Sequence, residues 1–376
     1  MIRSLFTVGG LFLVLALMVE TVPAIEPPDD KVSVGYNFYD GGGITVQGPA
    51  LIIRKDVPGK LALEADVRVD LVSSASIDVV TQASPYTENR KEYSIGTSSI
   101  FGDTLMTTAY VRSDESDYTS DLLSLGLAHD LLDKNLTLTM KVARSWDQVG
   151  KNDDPGFGWK ESNRAIYMLG LAQSLTARWL VQFNYELTAD DGFLNNPYRS
   201  AMTLSGGVAP ENYPEARTGH AVVVKSAYGF LSKDGMGEGA VKHSVQMDYR
   251  YYQDTFDVQS HSGKFLYQRH VSSDWLFGIS YRYYRQGEAS FYGDRLPANQ
   301  IFKARDKELS RFSDQWIGGS IKFKPQQWRW PWIEDPYFKL GFDFLIFDYD
   351  NFTDPRTGDL YSVRANVLQA SFGFNY

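Results

Sequence analysis

The fold class predicted by this 376-residue chain is all-β, an antiparallel transmembrane β-barrel of about 16 strands with both termini periplasmic. Three observations predict it. Apolar residues recur at every second position in many segments of about ten residues, the length a tilted strand needs to cross a bilayer. The connections between these segments alternate in length. The last strand ends on an aromatic residue, Tyr376.

That last stretch carries Leu368, Ala370, Phe372, Phe374 and Tyr376 on one face and Gln369, Ser371, Gly373 and Asn375 on the other. A closed membrane barrel must end on a complete strand that pairs with the first and faces lipid. The pattern also resembles the C-terminal assembly signal of bacterial outer-membrane barrels, and its expected partner is Val32 to Tyr39. A half-buried edge strand of a soluble all-β protein is the plainer reading of these nine residues taken alone.

Composition narrows the class. There is no cysteine, 14% of residues are aromatic, the formal charge is -9 and mean hydropathy is -0.30. This is too polar for a bundle of membrane helices and too aromatic for a disordered chain. No basic stripe is present to neutralise phosphates, so nucleic acid is not an expected partner. At the N-terminus, Arg3, an apolar run from Leu5 to Val19 and the small residues of Val22-Pro23-Ala24 read as a cleaved signal peptide over 1–24. The barrel is then expected over 25–376, in a bacterial outer membrane, in contact with lipid and lipopolysaccharide and delivered by the barrel-assembly machinery.

In chain order, Val32 to Tyr39 and Ile44 to Arg54 flank Asp40-Gly41-Gly42-Gly43, which supplies the positive φ angles of a tight hairpin. After the Pro58-Gly59 turn, Leu61, Leu63, Ala65, Val67, Val69 and Leu71 alternate with Ala62, Glu64, Asp66, Arg68 and Asp70. A lipid-facing exterior over a wet or ion-paired interior asks for that alternation. The period returns in Trp179 to Leu187, His243 to Gln253, Trp275 to Tyr283 and Phe338 to Ile346. Short turns are expected at Gly102-Asp103, Asp130 to Lys134, Thr176-Ala177, Leu231 to Ala240 and Val271 to Asp274. Longer loops are expected at Ser73 to Arg90, Asp147 to Glu161, Ala189 to Ala216, Gln286 to Glu308 and Asp350 to Leu360. Short turns on the periplasmic side and longer loops outside are the outer-membrane pattern. Lys324 to Pro336 is long and Asp114 to Asp117 is short for that parity, so counts of about 14 or 18 strands stay open.

The Ser73 to Arg90 segment carries serines but no neighbouring histidine to act as base. A strand ending Asp70-Leu71-Val72, the loop with Ser84-Pro85-Tyr86 and Arg90, then Asn195-Asn196-Pro197-Tyr198 and Arg217-Thr218-Gly219-His220, resemble an uncharacterised outer-membrane family, domain of unknown function 3570. The resemblance covers nearly all of 25–376. It implies a fold and a location; the family has no established activity to carry over.

Histidines 129, 220, 243, 261 and 270 lack metal-ligand spacing, and no cofactor or metal is expected. Asp153-Asp154 or Asp190-Asp191 with His220, or a serine with His220 or His261, could mimic a membrane-embedded hydrolase, but solvated acidic loops explain them more simply. Trp328, Trp330 and Trp332 beside Arg329 suit a membrane interface or a docking site for a periplasmic partner. Expected lumen-lining residues are Glu64, Asp66, Arg68, Asp70, Lys141, Glu186, Lys225, Asp248, Arg250, Arg282, Lys322, Lys339 and Asp343. Opposed acids and bases of this kind can orient polar solutes in an eyelet or plug a closed barrel with ion pairs. Ser84, Pro85, Tyr86 and Arg90 are the expected constriction, with Ala189 to Ala216 as a second candidate. The expected function is a porin-like, non-enzymatic channel for small polar solutes. A non-conducting scaffold barrel is the alternative, and a hydrolase the third reading.

Overall fold

A computed structural model describes residues 30–57, 61–74, 86–152, 154–231, 241–328 and 330–376. The expected signal peptide, Ser84, Pro85, Asp153, Arg329 and the Pro58-Gly59 turn lie outside these residues.

The chain alternates strand and connection throughout. The first nine strands are β1 (Lys31–Gly41), β2 (Ile44–Val57), β3 (Leu61–Ser74), β4 (Tyr86–Phe101), β5 (Thr104–Asp114), β6 (Tyr118–Leu131), β7 (Leu136–Val149), β8 (Lys160–Thr176) and β9 (Trp179–Gly192). A long loop holds the short strands β10 (Ser200–Met202) and β11 (Val208–Pro210). There follow β12 (Ala216–Leu231), β13 (Val241–Asp254), β14 (Gln259–His270), β15 (Trp275–Gln286), β16 (Phe312–Phe323), β17 (Glu334–Thr353) and β18 (Leu360–Asn375). Each long strand pairs antiparallel with its sequence neighbour, β9 with β12, and β18 closes on β1, giving a 16-strand closed barrel. Closure leaves no unpaired edge, which a structure surrounded by hydrocarbon requires.

The closing seam is the expected one. Val32 stands opposite Phe374, Phe38 opposite Leu368 and Gly41 opposite Ala365. A Cβ on Gly41 would come within 2.1 Å of the Ala365 Cβ, so the seam closes there only around glycine. Gly42 and Gly43, with φ of 61° and 76°, form the β1–β2 turn, the two positive angles whose twist matches a hairpin.

Two faces alternate along the strands. On β3, Leu63, Val67 and Leu71 are exposed, whereas Ala62, Asp66 and Val72 are buried. The same apolar face carries an aromatic row at the end where the chain termini lie. Ring centroids of Trp275 and Phe323 are 4.5 Å apart, those of Phe338 and Phe372 4.7 Å, and those of Phe372 and Phe374 5.7 Å. Trp328 and Trp330 stack at 5.9 Å and join the row through Phe338, 6.1 Å from Trp328. Amphipathic rings at the two ends of an apolar band are the signature of a bilayer interface.

Four histidines lie on the apolar face, each satisfied by a hydroxyl. His129 Nδ1 is 2.8 Å from Thr104, and His220, His243 and His261 are within 2.7 Å of Tyr185, Tyr267 and Tyr249. A hydroxyl partner removes the cost of placing a polar ring there.

Two sequence expectations are corrected. Tyr86 to Arg90 are strand, not loop: Asn89 pairs with Leu71 and Arg90 with Asp70. β17 likewise runs on to Thr353 instead of ending near Asp350.

Candidate functional site

The face opposite the apolar one is polar and gathers charge from most of the barrel. On β2 to β4, Arg54 pairs with Glu64, and Arg68 with Asp66 at 3.0 Å and Glu92 at 3.8 Å. Arg90 pairs with Glu92 at 2.8 Å. Asp70, opposite Arg90 in the ladder, completes a chain of alternating charge along one wall. Across the barrel, Arg250 reaches over β12 to Glu186 at 3.8 Å, and Arg282 pairs with Asp314 at 3.0 Å. Lys225 stands opposite Asp248, which in turn stands opposite Lys264. Asp343 lies over Gly318, where a Cβ would meet its Oδ1 at 2.1 Å. Lys322 and Lys339 face each other across β16 and β17. Lys141 on β7 makes no ion pair among the described residues. The expected polar residues therefore fall into separate groups, joined by Glu92, Asp314 and Lys264, which sequence reading missed. The signal for Glu92 was its two-residue offset from Arg90.

At the end of the barrel opposite the termini, loops 193–215, 255–258 and 287–311 share a core of Leu194, Tyr213, Phe256, Val258, Phe291 and Leu309, with the small Ala289 and Ala304. Single bridges join Thr203 to Leu296 and Asn212 to Lys303. Polar contacts fix the register of the two long loops: Arg199 pairs with Asp306, and Arg305 N–H donates to Glu211 Oε1 at 2.6 Å. The Tyr213 hydroxyl donates to Glu211 Oε2 at 2.5 Å. Loop 287–311 is also bonded to the barrel wall. Arg305 donates to the Thr353 carbonyl at 2.7 Å and lies 4.5 Å from the Phe352 ring centre, Tyr292 donates to the Asn351 carbonyl at 2.9 Å, and Gln286 donates to the Ser310 carbonyl at 2.7 Å. Beneath it, Leu345, Ala365 and Val367 on the polar face of β17 and β18 are almost wholly buried, with Tyr39, Trp316 and Phe347 packed against them. The periodicity did not disclose this ordered loop cap. Its apolar residues are single and widely spaced, so no period marks them.

A third cluster ties smaller loops together. Glu88 accepts from Ser116 N–H at 2.9 Å and Ser116 Oγ at 2.8 Å. Tyr198 donates to Asp117 while accepting from Asn152 N–H at 2.7 Å, and Asn152 Nδ2 donates to Ser116 Oγ at 2.6 Å. Glu115 is buried at the centre, its side chain 1% exposed, 3.9 Å from Arg90. Burial pushes its carboxyl up to about 8, with Asp117 and Glu88 adding to the rise and Arg90 opposing it. Burial and the bond to Asp117 also raise the Tyr198 phenol above its ordinary range.

The expected docking tryptophans separate into two environments. Trp328 and Trp330 belong to the aromatic row, whereas Trp332, at φ 74°, is 89% exposed. No group of acids and histidines able to hold a metal occurs among the described residues.

Comparisons with known proteins place this architecture. The fold is similar to that of a bacterial polysaccharide outer membrane secretin, with 9% identity, 94% of this chain and 100% of that chain covered, and a TM-score of 0.52. It is also similar to CdiB from Acinetobacter baumannii, with 9% identity, 92% and 60% covered, and a TM-score of 0.52. OccD3 (OpdP) from Pseudomonas aeruginosa has 11% identity, 95% and 93% covered, and a TM-score of 0.48. At such identities the likeness is one of fold. No curated protein matches the chain. A family model described as a protein of unknown function, DUF3570, matches residues 72–319, about two thirds of the chain, and the chain belongs to that family.

Proposed function

We propose that the protein is a porin-like channel for small polar solutes in a bacterial outer membrane, its termini and short turns on the periplasmic side. The polar face then lines the lumen and the apolar face meets lipid, with lipopolysaccharide around the outer rim. The observation that carries this reading is the closed 16-strand barrel with charged side chains of both signs on one face and exposed apolar side chains on the other. Barrels of this strand number are wide enough for an aqueous passage unless a loop fills it. Loop 287–311, braced by 193–215, narrows the aperture, with the Ser84, Pro85, Tyr86 and Arg90 segment as a further candidate constriction.

The test is conductance of the purified protein in planar bilayers. Stepwise channels in concentrated KCl are expected, with larger steps when residues 290–308 are replaced by a short Gly-Ser linker. No steps in either protein would overturn the channel. The exposure of Trp332 favours a second reading, in which the barrel is a scaffold that docks a periplasmic partner there. The terminal residues Leu368, Ala370, Phe372, Phe374 and Tyr376 serve in both readings as the strand recognised by the assembly machinery.

A further inference from the structure

Two lysines, Lys31 and Lys322, lie over Tyr337 at the end of the polar face nearest the chain termini, and a third, Lys339, stands opposite Lys322. Their arrangement begins with an irregularity of the backbone. Glu334 of β17 stands opposite Asn375 of β18, but Tyr337 stands opposite Gly373, so β17 carries one residue more than its partner between the two pairs. An extra residue of this kind is a β-bulge, which bends the strand and re-aims the side chain that follows. Asp335 absorbs the bend at φ 49°, and Pro336 has no N–H to leave unpaired.

The Tyr337 ring is thereby laid across β18. A Cβ on Gly373 would meet the Tyr337 hydroxyl at 2.6 Å, so glycine is what lets the ring lie there. The hydroxyl passes over β18 altogether and reaches Ser33 Oγ on β1 at 3.2 Å. A tyrosine thus spans three strands and forms a fixed floor.

Cations flank that floor. Lys322 Nζ lies 4.7 Å from the ring centre and Lys31 Nζ 5.6 Å from it. Lys339 stands directly opposite Lys322 in the ladder. Like charges placed opposite each other repel. Among the described residues, none of the three lysines has a carboxylate within ion-pair distance. The nearby Lys324 has one, Asp335 at 3.1 Å. Asp343, farther along β17, lies in the fields of both Lys339 and Lys264. A tyrosine ring attracts cations through its quadrupole but carries no net charge to cancel theirs. Elsewhere on the polar face the arginines are matched by acids: Arg68 by Asp66, Arg250 by Glu186, Arg282 by Asp314.

We infer that Lys31, Lys322 and Lys339 form a binding site for a small oxyanion, a carboxylate or a phosphate, above the Tyr337 ring. The inference rests on the polar face being a solvent-filled lumen and narrows the solutes of that channel to ones bearing such a group. Lysine fits a transit site because it offers mobile donors on a compact charge and lacks the rigid two-point grip of arginine, so an anion held here exchanges readily.

Titration calorimetry with inorganic phosphate, on the full-length protein in detergent at low salt, tests the site, and a parallel titration with succinate distinguishes phosphate from carboxylate. Saturable binding of at least one of the two is expected, weakened roughly tenfold or more in K322Q/K339Q. Tyr337→Phe keeps the ring and loses only the bond to Ser33, so it is expected to bind within about threefold of wild type. The heat-modifiable migration of the folded barrel on a gel verifies that each variant is assembled. No saturable binding of either anion, or equal affinity in the assembled double variant, overturns the site. Planar-bilayer recordings separate this inference from the channel itself. Phosphate binding without channel steps sinks the channel and leaves the site, whereas channel steps without anion binding do the reverse.

Discussion

Glu115→Gln tests the buried knot of small loops most directly. The Glu115 carboxyl sits at about 8, against an ordinary value of 4.5, because burial penalises its charged form more than Arg90, 3.9 Å away, supports it. A group whose proton is held more tightly in the closed loop contributes its full stabilisation below the ordinary value and loses it as pH rises toward the raised one. The knot should therefore weaken between pH 4.5 and about 8 and change little above that. The whole rise corresponds to about 5 kcal/mol as a ceiling, or close to three orders of magnitude in the local opening equilibrium between about pH 5 and 9. Amide hydrogen exchange at residues 115–118 and 150–152 reads that opening without unfolding the barrel. After correction for intrinsic rates, protection in the wild type should fall by at least about tenfold over this range, while glutamine, which cannot ionise, should keep it nearly constant. Equal protection of the wild type at both pH values would refute the reasoning.

Two further outcomes follow from the packing. Deleting Phe374 to Tyr376 removes the closing pair of Val32 with Phe374 and part of the aromatic row, so the chain should accumulate unassembled in the periplasm; normal amounts in outer-membrane fractions would count against the seam. Leu345→Ala empties a site with 0% exposure beneath loop 287–311 and should cost about 2–5 kcal/mol, read as a lower unfolding temperature and faster protease cleavage of that loop.

Strand number and connection parity were legible because lipid imposes a two-residue period and turns announce themselves with glycine, proline and aspartate. The reading failed where lipid no longer acts. Thr87 to Lys91 extend β4 but carry only polar side chains, so no alternation marks them as strand, although Arg90 pairs with Asp70. The polar face was legible residue by residue and illegible as a set of partners. Arg250 meets Glu186 across an intervening strand, and Arg282 meets Asp314 across a 25-residue separation of strands that no local pattern links. The loop cap was hidden for the same reason, since Leu194, Phe256 and Phe291 come together only after the barrel has brought their strands side by side.

That shared core also sets an order of events during biogenesis. Its residues come from the β9–β12, β13–β14 and β15–β16 connections, so none of the three segments can bury its apolar side chains until β9 and β12 to β16 stand in register. The cap is a late structure. Resistance of loops 193–215 and 287–311 to added protease would therefore mark a completed molecule, and their cleavage would reveal a barrel inserted but not yet in its final register.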